Sequence, residues 1–278
     1  MKQVVSILGC GWLGRATGKH LIRKSRTVRG STRDTDAIDT LRTAGFEAYV
    51  VDLSPGLNDD VNWDFFNADV LISCIPLPCS PDIVRFFELQ MMALVKAIRR
   101  SPISSVLFVS STSVYPAKNQ IAQEVDVVHP EKDSGKALLI GEQLLHDQTA
   151  FNTTVLRCGG LIGYDRHPAR RLAERNKPWK DGDAPLNLIH RDDCVEIISR
   201  IIEKNMWNRT YNAVADDHPT RKRFYETAAA KDGVPGPDFT GVPAGPYKIV
   251  SNDKLKDELD YQFKFPHPLD VIFKEDNS

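Results

Sequence analysis

At 278 residues the chain is long enough for one large domain or one and a half, and at this size about three quarters of the unfolded surface is buried. With 41% hydrophobic and 26% charged residues and a formal net charge of −1, nothing favours nucleic acid or an anionic membrane surface as a partner. No apolar run approaches the roughly 20 residues needed to span a bilayer, and the five cysteines (Cys10, Cys74, Cys79, Cys158, Cys194) include no C-x-x-C pair, which fits free thiols in a reducing cytoplasm better than disulfides or a zinc site.

The chain enters a strand at once, leaving no room for a signal peptide. Gln3 to Leu8 is short, β-branched and apolar, the pattern of a buried strand. Gly9-Cys10-Gly11-Trp12-Leu13-Gly14 follows, and then a helix from Trp12 to Lys24 with Leu13, Ala16, Thr17, Leu21 and Ile22 along one face. Strand, G-x-G-x-x-G and helix in that order point to a dinucleotide site. Gly9 makes the turn off the strand, Gly11 lets a diphosphate approach the backbone, and Gly14 lets helix and strand pack closely. Thr27 to Gly30 reads as the second strand, Asp36 to Ala44 as a helix, Glu47 to Val51 as the third strand, and Asp69 to Ile75 as the fourth. A helix from Asp82 to Arg100, a strand from Val106 to Ser110, a helix from Lys132 to Gln148 and a strand from Thr153 to Cys158 complete the alternation. Apolar strands separated by helices predict a Rossmann-type, doubly wound parallel sheet in an α/β domain spanning residues 1–160.

Beyond it the pattern loosens. Leu186 to Ile189 and Arg209 to Val214 read as strands, Asp192 to Asn205, Thr220 to Lys231 and Lys254 to Leu259 as helices, and Val234 to Pro246, with four prolines, as a loop. Residues 161–278 are expected to form a smaller C-terminal α+β substrate cap, with about 186–214 returning to the sheet. The basic run Arg166, His167, Arg170, Arg171, Arg175, Lys177 and Lys180 suits either a phosphorylated ligand or a solvated face. His190 with Asp192 and Asp193 reads as packing and helix capping ahead of a metal site, and no metal is expected. Trp179, Trp207 and Phe239 suit core and substrate platform equally.

The end of the second strand bears on the cofactor. An acidic residue there holds the ribose of NAD. Here Ser31, Thr32 and Arg33 stand, two hydroxyls and a guanidinium that suit a 2′-phosphate, with Asp34 next in line. NADP is expected ahead of NAD.

Four stretches together carry a family resemblance: Gly9–Gly14, Phe108-Val109-Ser110-Ser111-Thr112-Ser113-Val114-Tyr115, Leu156-Arg157-Cys158-Gly159-Gly160-Leu161-Ile162-Gly163, and Leu188-Ile189-His190-Arg191-Asp192-Asp193-Cys194. The chain resembles the short-chain dehydrogenase/reductase superfamily, in its extended epimerase/dehydratase-like branch, and within that the atypical YeeZ-type group. The resemblance implies a catalytic hydroxyl at Ser111, adenine contacts at Asp52 and Leu53, and a cofactor ribose near Ile75. It also implies that Lys136 holds the nicotinamide ribose. The family's acid/base is a tyrosine four residues before that lysine, one helical turn away. Position 132 is Lys132, and none of the seven tyrosines has a lysine four residues on. Tyr115, Asp133 and His129 are the candidate replacements. The glycine spacing is also tighter than the G-x-x-G-x-x-G common among extended members.

Two functions follow. One is an NAD(P)-dependent oxidoreductase or epimerase acting on a small polar substrate, with nucleotide sugars among the candidates and a homodimer as a candidate assembly. The other is a catalytically inactive NAD(P)-binding sensor or regulatory protein.

Overall fold

A computed structural model describes residues 2–126, 128–166, 178–241 and 245–273. In chain order the elements are β1 (Val4–Leu8), α1 (Trp12–Arg23), β2 (Thr27–Thr32), α2 (Ile38–Thr43), β3 (Glu47–Val50), β4 (Val70–Ser73), α3 (Ile83–Ile98), β5 (Ser105–Ser111) and β6 (Gln120–Ala122). They continue with α4 (Asp133–His146), β7 (Asn152–Cys158), β8 (Gly160–Ile162), β9 (Leu188–His190), α5 (Arg191–Glu203), β10 (Thr210–Ala213), α6 (Arg221–Asp232), β11 (Lys248–Val250) and α7 (Asp253–Leu259). No helix among the described residues is long and apolar enough to cross a membrane.

The chain divides into two compact units that interleave along the sequence. One takes Met1–Val114, Val128–Arg157 and Val195–Tyr211, the other Tyr115–Val127, Cys158–Cys194 and Asn212–Ser278. The division differs from a cut at residue 160, because β6 pairs with β11 and so takes the segment after β5 into the second unit.

The first unit is built on a seven-stranded parallel sheet in the order β10-β7-β5-β4-β1-β2-β3. β1 pairs with β2, Val4 opposite Thr27 and Ile7 opposite Gly30, and with β4, Leu8 opposite Ser73. The chain lays β2 and β3 on one side of β1, then crosses back to lay β4 and β5 on the other. That reversal makes a switch point between β1 and β4, where open parallel sheets leave a crevice beyond the strand ends. Val5, Ile7, Leu71, Ile72, Val106, Leu107 and Phe108 are fully buried, as strands covered on both faces must be. α4 is pinned to the sheet by a buried ion pair. Arg157 on β7 donates to Glu142 at 2.7 and 3.1 Å, and the Ser110 hydroxyl on β5 donates to the same carboxylate at 2.5 Å.

In the second unit β8 pairs with β9, Gly160 opposite Leu188 and Ile162 opposite His190, over a core of Ile162, Leu188, Phe224 and Val271. Of residues 186–214, expected to return to the main sheet, β10 does so and β9 does not. Its partner β8 is a three-residue strand beginning at glycine, too short to show alternation. The helix expected from Asp36 begins instead as a 3-10 turn at Thr35–Ala37. Of the basic run, His167, Arg170, Arg171, Arg175 and Lys177 lie outside the described residues.

Candidate functional site

The crevice at the switch point is shaped by the turn after β1. Gly9 adopts φ +92°, a left-handed conformation that favours glycine. A Cβ there would stand 3.1 Å from the Cys74 carbonyl oxygen and 3.3 Å from the Ile75 nitrogen, so the exits of β1 and β4 are pressed together and Ile75 lies beside the loop. A Cβ on Gly14 would stand 2.3 Å from the Gly9 carbonyl oxygen, which fixes how closely α1 sits on β1. Gly11 is the opposite case: it is exposed, and a Cβ there would meet nothing within 4 Å. Gly11 is also the N-cap of α1, with no side-chain cap and no acid in the first turn. The first N–H groups and the positive end of the helix dipole therefore face open space, with Trp12 half-buried and Leu13 buried behind them. Such a donor-only cradle fits the diphosphate of a dinucleotide.

Ser31 does not face that space. It is 1% exposed, its hydroxyl accepts the Gly9 N–H at 3.0 Å and its carbonyl accepts the Cys10 N–H at 2.8 Å. It ties the glycine loop to β2, so the groups left for a 2′-phosphate are Thr32 and Arg33. The Thr32 hydroxyl accepts the Asp34 N–H at 3.0 Å, and the Asp34 carboxylate accepts the Asp36 N–H at 3.0 Å as cap of the 3-10 turn. Arg33 is exposed and has no carboxylate partner among the described residues. Burial pushes the Cys10 thiol up to about 12, which leaves it a protonated packing group.

After β3, the Asp52 N–H donates to Asn58 Oδ1 at 3.1 Å and the Ser54 hydroxyl donates to the Asp52 carboxylate at 2.7 Å. Leu53 is buried, and its carbonyl accepts the Gln90 side-chain amide of α3. The turn is thus held to the body of the unit.

Ser111 ends β5, half-buried. Its oxygen accepts the Ser113 N–H at 3.2 Å, leaving its own proton to donate. A Cβ on Gly135 would stand 2.5 Å from the Ser113 carbonyl oxygen, so the first turn of α4 presses on the turn that follows Ser111. Lys136 does not share that inner side. The buried residues of α4 are Gly135, Ala137, Leu138, Gly141, Glu142 and Leu145, a stripe centred near Leu138 with Lys136 on the opposite side. Lys136 is exposed, and its ammonium pairs with Asp133 at 2.8 Å. Lys132 lies outside the helix as its N-cap. Reading the buried stripe back one turn from Leu138 leads to Ser134, half-buried, which sequence reading missed because it took Lys136 as the marker.

The candidate replacements for the missing phenol are placed as follows. Tyr115 is 2% exposed and donates to Asn212 Oδ1 at 2.8 Å within the second unit. Asp133 is held by Lys136, and His129 is exposed. Also in the second unit, His190 stacks on Phe265 at 3.8 Å and accepts the Asp192 N–H at Nδ1. Burial lowers it to about 4, so it is neutral at pH 7. The Asp193 carboxylate accepts the Tyr261 hydroxyl at 2.7 Å and the amides of Lys264 at 2.7 Å and Phe265 at 3.1 Å. α5 begins at Arg191, so Asp192 and Asp193 lie within its first turn and not at its cap as expected, and no group able to hold a metal ion occurs among the described residues. Trp179 packs against Tyr225 with ring centroids 5.4 Å apart and tilted planes, and pairs through its backbone with Phe239, while Trp207 is half-buried.

The model of the NAD dependent epimerase/dehydratase family matches residues 5–213. The chain belongs to that family. It is 30% identical over 269 residues to Protein YeeZ of Escherichia coli (strain K12), spanning 95% of this chain and 97% of that one. Among solved structures, a short-chain dehydrogenase/reductase superfamily protein from Agrobacterium tumefaciens with bound NAD superposes with TM-score 0.76 at 18% identity, over 94% of this chain and 92% of that one. The UDP-glucuronic acid 4-epimerase of Bacillus cereus, in complex with UDP-glucuronic acid and NAD, gives 0.76 at 17% identity over 96% of each chain. As in the epimerase/dehydratase family generally, the fold is the Rossmann-type α/β sheet. The four stretches noted above, from the glycine loop to Cys194, begin within the matched span.

Proposed function

We propose that this protein is an NADP-dependent oxidoreductase or epimerase acting on a small polar substrate, with nucleotide sugars the first class to test. The observation that carries the cofactor reading is the pairing of an open, donor-only cradle at Gly11 with an Arg33 that has no carboxylate partner among the described residues and whose neighbour Asp34 is committed to Asp36. NADP, when bound, accepts or supplies hydride. In this reading Gly9, Gly11, Gly14 and the first turn at Trp12 and Leu13 hold the diphosphate, and Thr32 and Arg33 hold the 2′-phosphate. Ser31 acts by fixing the loop. Asp52 and Leu53 receive the adenine, and Ile75 lies along the ribose. Ser111, whose proton is not used within the turn, donates to the substrate oxygen that changes oxidation state. Lys136, exposed and paired with Asp133, has no part in this reading. A cytoplasmic setting accords with five unbridged cysteines, and a homodimer is part of the proposal.

Fluorescence titration with NADPH and NADH tests the cofactor, and tighter NADH binding would remove the Arg33 argument. Incubating the loaded protein with a panel of nucleotide sugars and carbonyl compounds tests the chemistry, with Ser111→Ala as control. Turnover that ignores that substitution would move the site elsewhere. Light scattering at micromolar concentration tests the dimer, which a monomer mass would exclude.

A second reading, an NADP-binding sensor or regulatory protein, is favoured by one observation. The inner face of α4 carries Ser134 and Leu138, with neither phenol nor ammonium for proton transfer. It expects no turnover across the panel, together with a panel compound that shifts NADPH affinity.

A further inference from the structure

Arg15 stands one residue after the glycine loop and has none of the roles above. It is exposed, the first turn of α1 holds no acid, and no carboxylate pairs with it among the described residues. Its side of the helix is set by packing. Gly18, three residues on and therefore on the same edge of α1, presses on Phe46: a Cβ there would fall 2.1 Å from the ring. Gly30 on β2 presses on the same ring, a Cβ there falling 2.7 Å from it. The edge of α1 that carries Arg15 and Gly18 is thus the one turned toward β2, and Arg15 occupies its end nearest the glycine loop.

Cys10 lies on that side as well. A Cβ on Gly30 would stand 2.8 Å from its sulfur, and its N–H bonds to the Ser31 carbonyl at 2.8 Å. The Arg15 guanidinium is among the charges that act on this thiol, opposing the larger effect of burial. A solvated arginine on the far side of α1 would neither share the Gly18 edge nor act on Cys10. At the end of β2, Arg33 is the second exposed guanidinium without a carboxylate, since Asp34 caps the 3-10 turn. Two like charges therefore approach the same strand end, and no carboxylate among the described residues pairs with either.

We propose that Arg15 and Arg33 together hold the 2′-phosphate of NADP, which makes Arg15 a second determinant of cofactor choice. The inference rests on the NADP reading above and adds to it a residue outside the G-x-G-x-x-G pattern. Guanidinium groups suit the task because their planar donors bond phosphate oxygens in pairs and keep their charge at every working pH.

The test measures Kd for NADPH and NADH by fluorescence, and for 2′,5′-ADP and 5′-AMP by calorimetry, in wild type, Arg15→Ala, Arg15→Lys and Arg33→Ala. Arg15→Ala is expected to weaken NADPH and 2′,5′-ADP about 10-fold while NADH and 5′-AMP stay within about twofold, as loss of a charged phosphate contact implies. Arg15→Lys should recover part of the loss, and Arg15→Ala with Arg33→Ala should abolish the preference for NADPH. Equal weakening of NADH and NADPH by Arg15→Ala, or of neither, overturns the role of Arg15 while the wild-type preference still supports the cofactor reading. A wild type without that preference overturns the cofactor reading itself, before any variant is made. Arg15 is exposed, so an unchanged melting curve confirms that each variant is folded.

Discussion

Alanine at position 11 and alanine at position 14 separate the two tasks of the glycine loop. At Gly14 the added Cβ would fall 2.3 Å from the Gly9 carbonyl oxygen and 3.2 Å from Ile7 Cγ2. Both belong to the β1 strand and its turn, with Gly9 itself held by Ser31 at 3.0 Å, so relief requires α1 to back away from the sheet. Overpacking of this kind costs about 1–3 kcal/mol. With each kcal/mol worth roughly 2–4 °C in a domain of 150–250 residues, Gly14→Ala should melt about 2–12 °C below wild type and lose NADPH binding with it. At Gly11 nothing lies within 4 Å of the added Cβ, and φ is −77°, open to any residue. The fold loses the N-cap advantage of glycine over alanine, about 0.5–1 kcal/mol, or roughly 1–4 °C. The anion loses more, because the methyl stands over the N–H groups it must reach. NADPH affinity should fall at least about 30-fold, or about 2 kcal/mol. Scanning fluorimetry of the unliganded proteins and an NADPH titration measure the two effects. A Gly11→Ala variant that binds NADPH like wild type would falsify the placement of the diphosphate. One that melts as low as Gly14→Ala would show that the space above Gly11 is not free.

Glu142→Ala leaves Arg157 and Ser110 without their acceptor. Because the two charged side chains are 3% and 7% exposed, the loss should be about 3–5 kcal/mol in urea unfolding, and a value under about 1 kcal/mol would mean that water relieves the guanidinium. His190 supplies a pH dependence. Its folded pKa of about 4 lies below the unfolded value of 6.5, so the unfolded chain binds the extra proton between those values. Stability should therefore be full above pH 6.5 and fall as pH drops toward 4, and His190→Gln should flatten that slope in melting curves taken across the window. Lys136→Ala should leave both melting temperature and NADPH affinity unchanged, since its ion pair is exposed, whereas Ser134→Ala should reduce any turnover found. A selective loss of NADPH affinity in Lys136→Ala would restore that lysine to the ribose.

The first unit was legible because its strands are buried on both faces and so appear as apolar runs between helices; β1, β2, β3, β4, β5 and β7 were each placed to within about two residues. The second unit was not, because its sheets are three-residue strands paired over long sequence separations, such as Gln120 with Lys248, which local pattern cannot reveal. Two residues, Ser31 and Lys136, stand on other sides than expected for a different reason: the periodicity that places their side chains was present but not applied to them. Consecutive strand residues face opposite sides, so Ser31 and Thr32 at the end of β2 could not both turn to one phosphate. Ser31, beside buried Gly30, is the one drawn in to hold Gly9. Residues two apart on a helix lie on nearly opposite sides, so Lys136 cannot share a face with Ser134 or with Leu138. Since Leu138, Gly141, Glu142 and Leu145 are the buried stripe, the position one turn before Leu138 is the one α4 offers toward the turn after Ser111. Under the proposed function, proton transfer would fall to the hydroxyls of Ser111 and Ser134. Catalysis by hydroxyls alone needs a substrate whose proton is already labile or a base supplied by the substrate itself, and the nucleotide-sugar panel should be widened to α-hydroxy carbonyl compounds on that ground.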